Sequence, residues 1–160
     1  MANLKETMAL RAFGLFKIPL LFSVRPTVVE ISKKRCEVKI PLNFWTRNHL
    51  KSMYFGTLAM GADCAGGLMA MQSIKASKKN VVLIFKDFHA DFLKRAESDV
   101  HFICEDGAKI EKQVKETIAS GERTNQTLKI IATTPKVSGD EPVAKFLLTL
   151  SLKLHGKKSA

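Results

Sequence analysis

The sequence predicts an α+β fold: an antiparallel β-sheet wrapped around one long central helix, with another helix at the N-terminus and an extra one on the surface. Three observations predict it. Between Lys51 and Lys75 run twenty-three residues in which Asp63 is the only charged side chain, the mark of a helix enclosed on all sides. On both sides of that stretch, short segments alternate apolar and polar residues with the period of a strand. The chain has 160 residues, enough for a single core that buries roughly two thirds of the unfolded surface.

The elements follow in order. Leu4, Met8, Ala12, Leu15 and Phe16 recur at helical spacing, so a helix is expected over about residues 3–16, and Pro19 and Pro26 bracket an extended lead-in strand. Val29 and Ile31, then Val38 and Ile40, alternate with polar residues around Ser32-Lys33-Lys34-Arg35, which reads as a hairpin ending at Pro41. A loop over 42–53 leads into the buried helix. Beyond it a period of two places Val82, Ile84, Phe88, Ala90 and Phe92 on one face, and Val100 to Cys104 is a short strand expected to pair with them through a turn at Glu97-Ser98-Asp99. Asp106 is placed to cap a surface helix carrying Ile110, Val114 and Ile118 and closed by Gly121. Strands over 124–134 and 143–154 complete the chain; in the second, Phe146, Leu148, Leu150, Leu152 and Leu154 alternate with polar residues. The whole, 1–160, reads as a single domain with its core over about 27–154 and a loose tail at 156–160.

Composition bounds the function. Lys and Arg outnumber Asp and Glu by 26 to 15, giving +11, a charge that attracts nucleic acid, anionic lipid or a phosphorylated ligand. The basic residues are scattered, with short clusters at Lys33-Lys34-Arg35 and Lys78-Lys79, and no nucleic-acid motif accompanies them, so no nucleic-acid partner is expected. The Asp63 stretch has the length of a membrane span, but its Gly and Ala content, its central carboxylate and the lack of a second span make it a buried helix; no membrane partner is expected. Lys5, Glu6 and Arg11 interrupt the N-terminal apolar residues and make a poor secretory signal. Three widely spaced cysteines, with no CxxC and no zinc spacing, suit the reducing cytoplasm and call for no metal.

Asp63 is the most informative residue. On a helix, Ala59, Met60, Gly66 and Gly67 sit one turn either side of it, so three of these four neighbours have little or no side chain and leave space beside a carboxylate. Burying an ionised carboxylate is costly, so it requires a paired partner, a raised pKa or a catalytic role. The plainer alternative is a carboxylate satisfied at an interface. Cys64 points about 100° away from Asp63 with no histidine to activate it, and reads as core. His89 alternates with Asp87 and Asp91, a pattern more typical of a polar strand face than of a metal site.

The element order, together with Asn48-x5-Tyr54-Phe55-Gly56-x6-Asp63, resembles the hotdog-fold acyl-CoA thioesterases of the phenylacetate-pathway type and a related branch known only as a domain of unknown function. In the better-studied relatives the motif reads Asn, five residues, His-Gly-Gly, six residues, Asp or Glu; Tyr54 and Phe55 depart from it and match the uncharacterised branch. The resemblance implies that Asp63 acts as nucleophile or general base on the thioester, that N–H groups at the helix start near Gly56 hold the oxyanion, and that Asn48 orients water or carbonyl. It further places Arg47, Lys51, Lys94 and Arg95 near the phosphates of coenzyme A, and Met60 along the acyl channel. The implied substrate is an acyl-CoA or acyl carrier protein thioester, with no cofactor beyond the coenzyme A of the substrate. The implied assembly is a homodimer or homotetramer in which the Asp63 helix of one subunit faces the Asn48 loop of the other. The hydratase branch of the fold is disfavoured, because its Asp-x4-His dyad is missing. Two other classes remain: a non-catalytic acyl or acyl-CoA-binding protein that has lost turnover through Tyr54 and Phe55, and a nucleic-acid-binding module supported only by the charge.

Overall fold

A helix without a polar face must be covered, and the rest of the chain buries one side of it, leaving Ala59, Met60, Asp63 and Leu68 half-buried. In the computed structural model, which describes residues 3–156, that helix is α3, Phe55–Ser77, preceded by α1 (Leu4–Lys17), α2 (Pro19–Ser23), β1 (Thr27–Ile31) and β2 (Cys36–Ile40). After it come β3 (Val81–Phe92), β4 (Val100–Cys104), α4 (Gly107–Ser120), β5 (Thr124–Thr133), the short α5 (Pro135–Ser138) and β6 (Pro142–Leu154). The tail expected at 156–160 lies, beyond Gly156, outside the described residues.

The six strands form one antiparallel sheet in the order β1-β2-β4-β5-β6-β3. Its inner face carries Val38, Ile40, Phe102, Cys104, Leu128, Ile130, Phe146 and Leu148, all buried against α3 and its neighbours. Strict alternation in β2 and β4 puts every second side chain into this core. α4 lies beside α3 and contributes Ile110 and Val114 to the same core.

Small residues let α3 sit close to the sheet. Gly61 lies under the fully buried ring of Phe102, and a Cβ there would fall inside that ring's van der Waals shell. Gly66 faces Leu128, Ile130 and Phe85, with each first contact at 3.5–3.6 Å from the position a Cβ would take. Gly107, at the start of α4, lies against the backbone of Lys33 and Lys34, which ties α4 to the β1–β2 turn.

The two edges of the sheet differ. Val28 on β1 accepts from the backbone N–H of Asn3 at 2.8 Å, and its own N–H donates to Thr7 Oγ1 at 2.9 Å, so α1 covers that edge. Twelve-residue β3 forms the opposite edge and pairs with β6 on one side only.

Four expectations need correction. The segment between Pro19 and Pro26 is not a strand but begins with α2, Pro19 standing at the first helical position, where its missing N–H is no loss. β3 and β4 do not pair: β3 finds its length match in β6, while the five residues of β4 pair with those of β2 and with β5. Val82 and Ile84 do not share a face with Phe88, Ala90 and Phe92, because a bulge sets Lys86 and Asp87 of β3 against one residue of β6, Thr149, and reverses the alternation. Asp106 precedes α4 without capping it; one carboxylate oxygen accepts from the Lys129 N–H at 2.7 Å and the other pairs with Lys109 at 2.8 Å.

Gly61→Ala should lower the unfolding free energy by about 1–3 kcal/mol, the usual cost of overpacking, in a urea titration, whereas Gly66→Ala, with room for a methyl group, should change it little.

Candidate active site

Asp63 lies at the middle of α3, half-buried, with Gly67 one turn further on; a Cβ at Gly67 would stand 3.8 Å from the Asp63 carboxylate and 3.7 Å from the Phe85 ring. Among the described residues no hydrogen bond or cation acts on this carboxyl group, and burial alone pushes its pKa above the ordinary carboxylate value. The space expected beside the carboxylate is therefore present, walled by one aromatic ring.

The start of α3 opens into a cleft of about 390 Å³. It brings together Asn48, Tyr54, Phe55, Lys94 and Arg95 with His49 and Phe92, residues from the loop before α3 and from the segment after β3. No side chain caps α3, so the N–H groups of its first turn stay open at this end. Asp63 does not line the cleft: it lies five residues beyond Leu58, the last residue of α3 in the cleft wall, about 7.5 Å along the helix at 1.5 Å per residue. A separate groove of about 310 Å³ between α3 and α4 contains none of these residues.

Each remaining candidate has a definite place. Asn48 holds its own loop: its Oδ1 accepts from the N–H groups of Leu50 at 2.9 Å and Ser52 at 3.2 Å, and its Nδ2 donates to Ser52 Oγ at 3.1 Å. Lys51 sits in that turn with a left-handed φ of 63° and is exposed. Arg47 lies 5.5 Å over the Phe44 ring and does not reach the cleft. Lys94 pairs with Glu141 at 2.5 Å, whereas Arg95 is exposed at the cleft wall. Met60 is half-buried against the core and outside the cleft.

Sequence reasoning missed the aromatic wall. The Tyr54 and Phe55 rings lie 4.8 Å apart, Phe55 lies 6.4 Å from Phe92, and Phe92 lies 6.2 Å from the buried Phe146. A continuous series of rings thus runs from the start of α3 into the core. Only the bulge in β3 turns Phe92 inward, and no residue type announces it. Gly56 keeps the Tyr54 ring against the backbone, since a Cβ there would meet the ring at 2.6 Å.

Comparison with known proteins places this architecture. The chain belongs to the family described as domain of unknown function DUF4442, which matches residues 7–150. Its fold is the hotdog fold. A protein of unknown function from Chlorobaculum tepidum superposes with a TM-score of 0.82 at 12% identity, over 96% of this chain and 98% of its own. A Pseudomonas aeruginosa protein of unknown function, described as a probable thioesterase, gives 0.77 at 21% over 93% and 96%. A thioesterase from Haemophilus influenzae gives 0.65 at 13% over 93% and 92%. No curated protein matches the chain.

A raised pKa means that the ionised form of Asp63 opposes folding. This penalty is absent below the unfolded carboxylate pKa, grows as pH rises toward the folded value, and is constant above it. Asp63→Asn should therefore unfold at higher urea concentration than the wild type at pH 7, and the two midpoints should converge as the pH falls below the ordinary carboxylate range.

Proposed function

We propose that the protein is a thioesterase that hydrolyses an acyl-CoA or acyl carrier protein thioester to the free acid and thiol. The observation that carries this reading is Asp63: an unpaired carboxylate on the central helix of a fold shared with named thioesterases, with its pKa raised by burial. In its ionised form it acts as general base on water or as nucleophile at the thioester carbonyl. N–H groups at the start of α3, near Gly56, take the developing oxyanion; they cost no reorganisation, because no side chain occupies them. Arg95 and Lys94 meet the phosphates of the carrier at the cleft mouth, and Phe55 and Phe92 offer the acyl or pantetheine chain an apolar path.

Asp63 does not line the cleft of its own chain, so the reading requires a second copy that brings its cleft to the first copy's Asp63. Strand β3 is the edge for that contact. Its outer face carries Val82 and Ile84, 44% and 49% exposed, opposite Lys153 and Ser151 of β6. A cytoplasmic location suits the cysteines: Cys36 and Cys104 face each other across β2 and β4, and they and Cys64 are free and buried. Burial pushes the Cys36 thiol up to about 12, which makes it inert as a nucleophile.

A second reading, a non-catalytic acyl-CoA-binding protein, is favoured by one feature: the Tyr54 and Phe55 rings stand at the start of α3 where an oxyanion would bind. The two readings separate in one assay. With a panel of acyl-CoAs of graded chain length, the wild type should release thiol, and Asp63→Asn should reduce the rate by about 10²–10⁴, the usual contribution of a general base. Thioester binding without turnover by folded wild type would leave the binding protein. Ile84→Lys, which places a charge on the open edge, should shift the sedimentation coefficient from dimer toward monomer and abolish turnover together with it.

A further inference from the structure

We infer that α1 and α2 form a docking face for an anionic lipid bilayer surface. On α1, Thr7, Leu10 and Gly14 are buried toward β1, but the other side is not polar. Leu4, Met8, Leu15 and Phe16 on α1 and Leu20 and Phe22 on α2 all stand exposed, Phe16 at 79% and Leu20 at 64%. At 100° per residue, Leu4, Met8 and Leu15 fall within about 40° of one another, and Phe16, about 100° round the helix from Leu15, widens the exposed apolar face at the end of α1. A patch of this kind is unusual on a surface facing only water.

Charge identifies the occupant. Residues 3–29 contain Lys5, Arg11, Lys17 and Arg25 and a single acid, Glu6. Lys5, Lys17 and Arg25 are exposed, and among the described residues none of them pairs with a carboxylate. Arg11 is held by the carbonyl of Pro26 at 2.9 Å and by Thr27 Oγ1 at 3.0 Å, so its charge too remains uncompensated. Apolar side chains flanked by unpaired cations suit insertion at the headgroup boundary of an anionic leaflet. A second copy would instead set four cations against four, on a chain that already carries +11.

Position supports the same occupant. α1 covers the β1 edge, at the far end of the sheet from β3. Association through β3 therefore leaves this face uncovered and places one at each end of the assembly. No described helix is long and apolar enough to cross a membrane, so the contact is peripheral. It departs from the expectation of no membrane partner, which rested on the lack of spans.

Co-sedimentation of the full chain with vesicles of phosphatidylcholine alone, or of phosphatidylcholine with phosphatidylserine, tests the inference without any assay of hydrolysis. Binding should be confined to the anionic vesicles. Lys5→Gln and Lys17→Gln should each weaken it about fivefold. Phe16→Glu with Leu20→Glu should abolish binding while leaving the urea midpoint unchanged, since both side chains are exposed. The inference is overturned if neither vesicle binds, if both bind equally, or if the Phe16/Leu20 variant binds as well as wild type. It is also overturned if that variant instead changes the oligomeric state, which would assign the face to a second copy.

Discussion

Everything in this fold depends on enclosing α3. Its sequence offers water no polar face, and Asp63 is its only acid, so the helix is stable only where a sheet curls around it. The enclosure works because the helix is thin. Gly61, Ala62, Ala65, Gly66 and Ala70 present almost no side chain, and Phe102, Leu128, Ile130 and Phe85 fill the space from the sheet.

The electrostatics of Asp63 follow from that packing. The chain carries a large excess of positive charge, yet among the described residues no cation reaches this carboxyl group. The cations lie on the outer surfaces, at the cleft mouth or along the N-terminal helices, and half-buried Asp63 is left as an acid that burial makes reluctant to ionise. Two other partly buried acids have partners. Glu37 on β2 lies between Arg35 at 2.7 Å and His101 at 2.6 Å, and Asp106 is held by Lys109 and the Lys129 backbone. Asp63 stands apart from these by its isolation, which is the condition under which a carboxylate is useful as a base rather than as a strut.

Legibility differed between helices and strands. α1 and α4 were readable because each keeps one spacing over many residues, α3 because twenty-three residues carry a single charge, and β6 because five large residues alternate without a break. β3 was misread from its middle onward. The bulge at Lys86-Asp87 changes which residues face the helix, and a bulge depends on the register with the partner strand rather than on the residues that form it. The same limit explains the β3–β4 error: neighbours in sequence are the default pairing, but β3 is more than twice the length of β4 and matches β6 instead. Within the site, the spacing from Asn48 to Asp63 was legible and its geometry was not. Asn48 spends its amide on its own loop, and the aromatic wall built by Phe92 depended on the unseen bulge.

The sequence by itself determined the class of fold, the central helix and the one carboxylate within it, because these depend on composition and on periods of two and 3.6 that any local stretch displays. It also displayed Gly66 and Gly67 beside Asp63, and hence the space there. Strand order, the reversal within β3, the separation of Asp63 from the cleft and the exposure of Leu4, Phe16 and Leu20 were decided only by the tertiary structure. Each of these depends on what lies opposite a residue across the sheet or beyond a helix, and residues distant in sequence supply that neighbour.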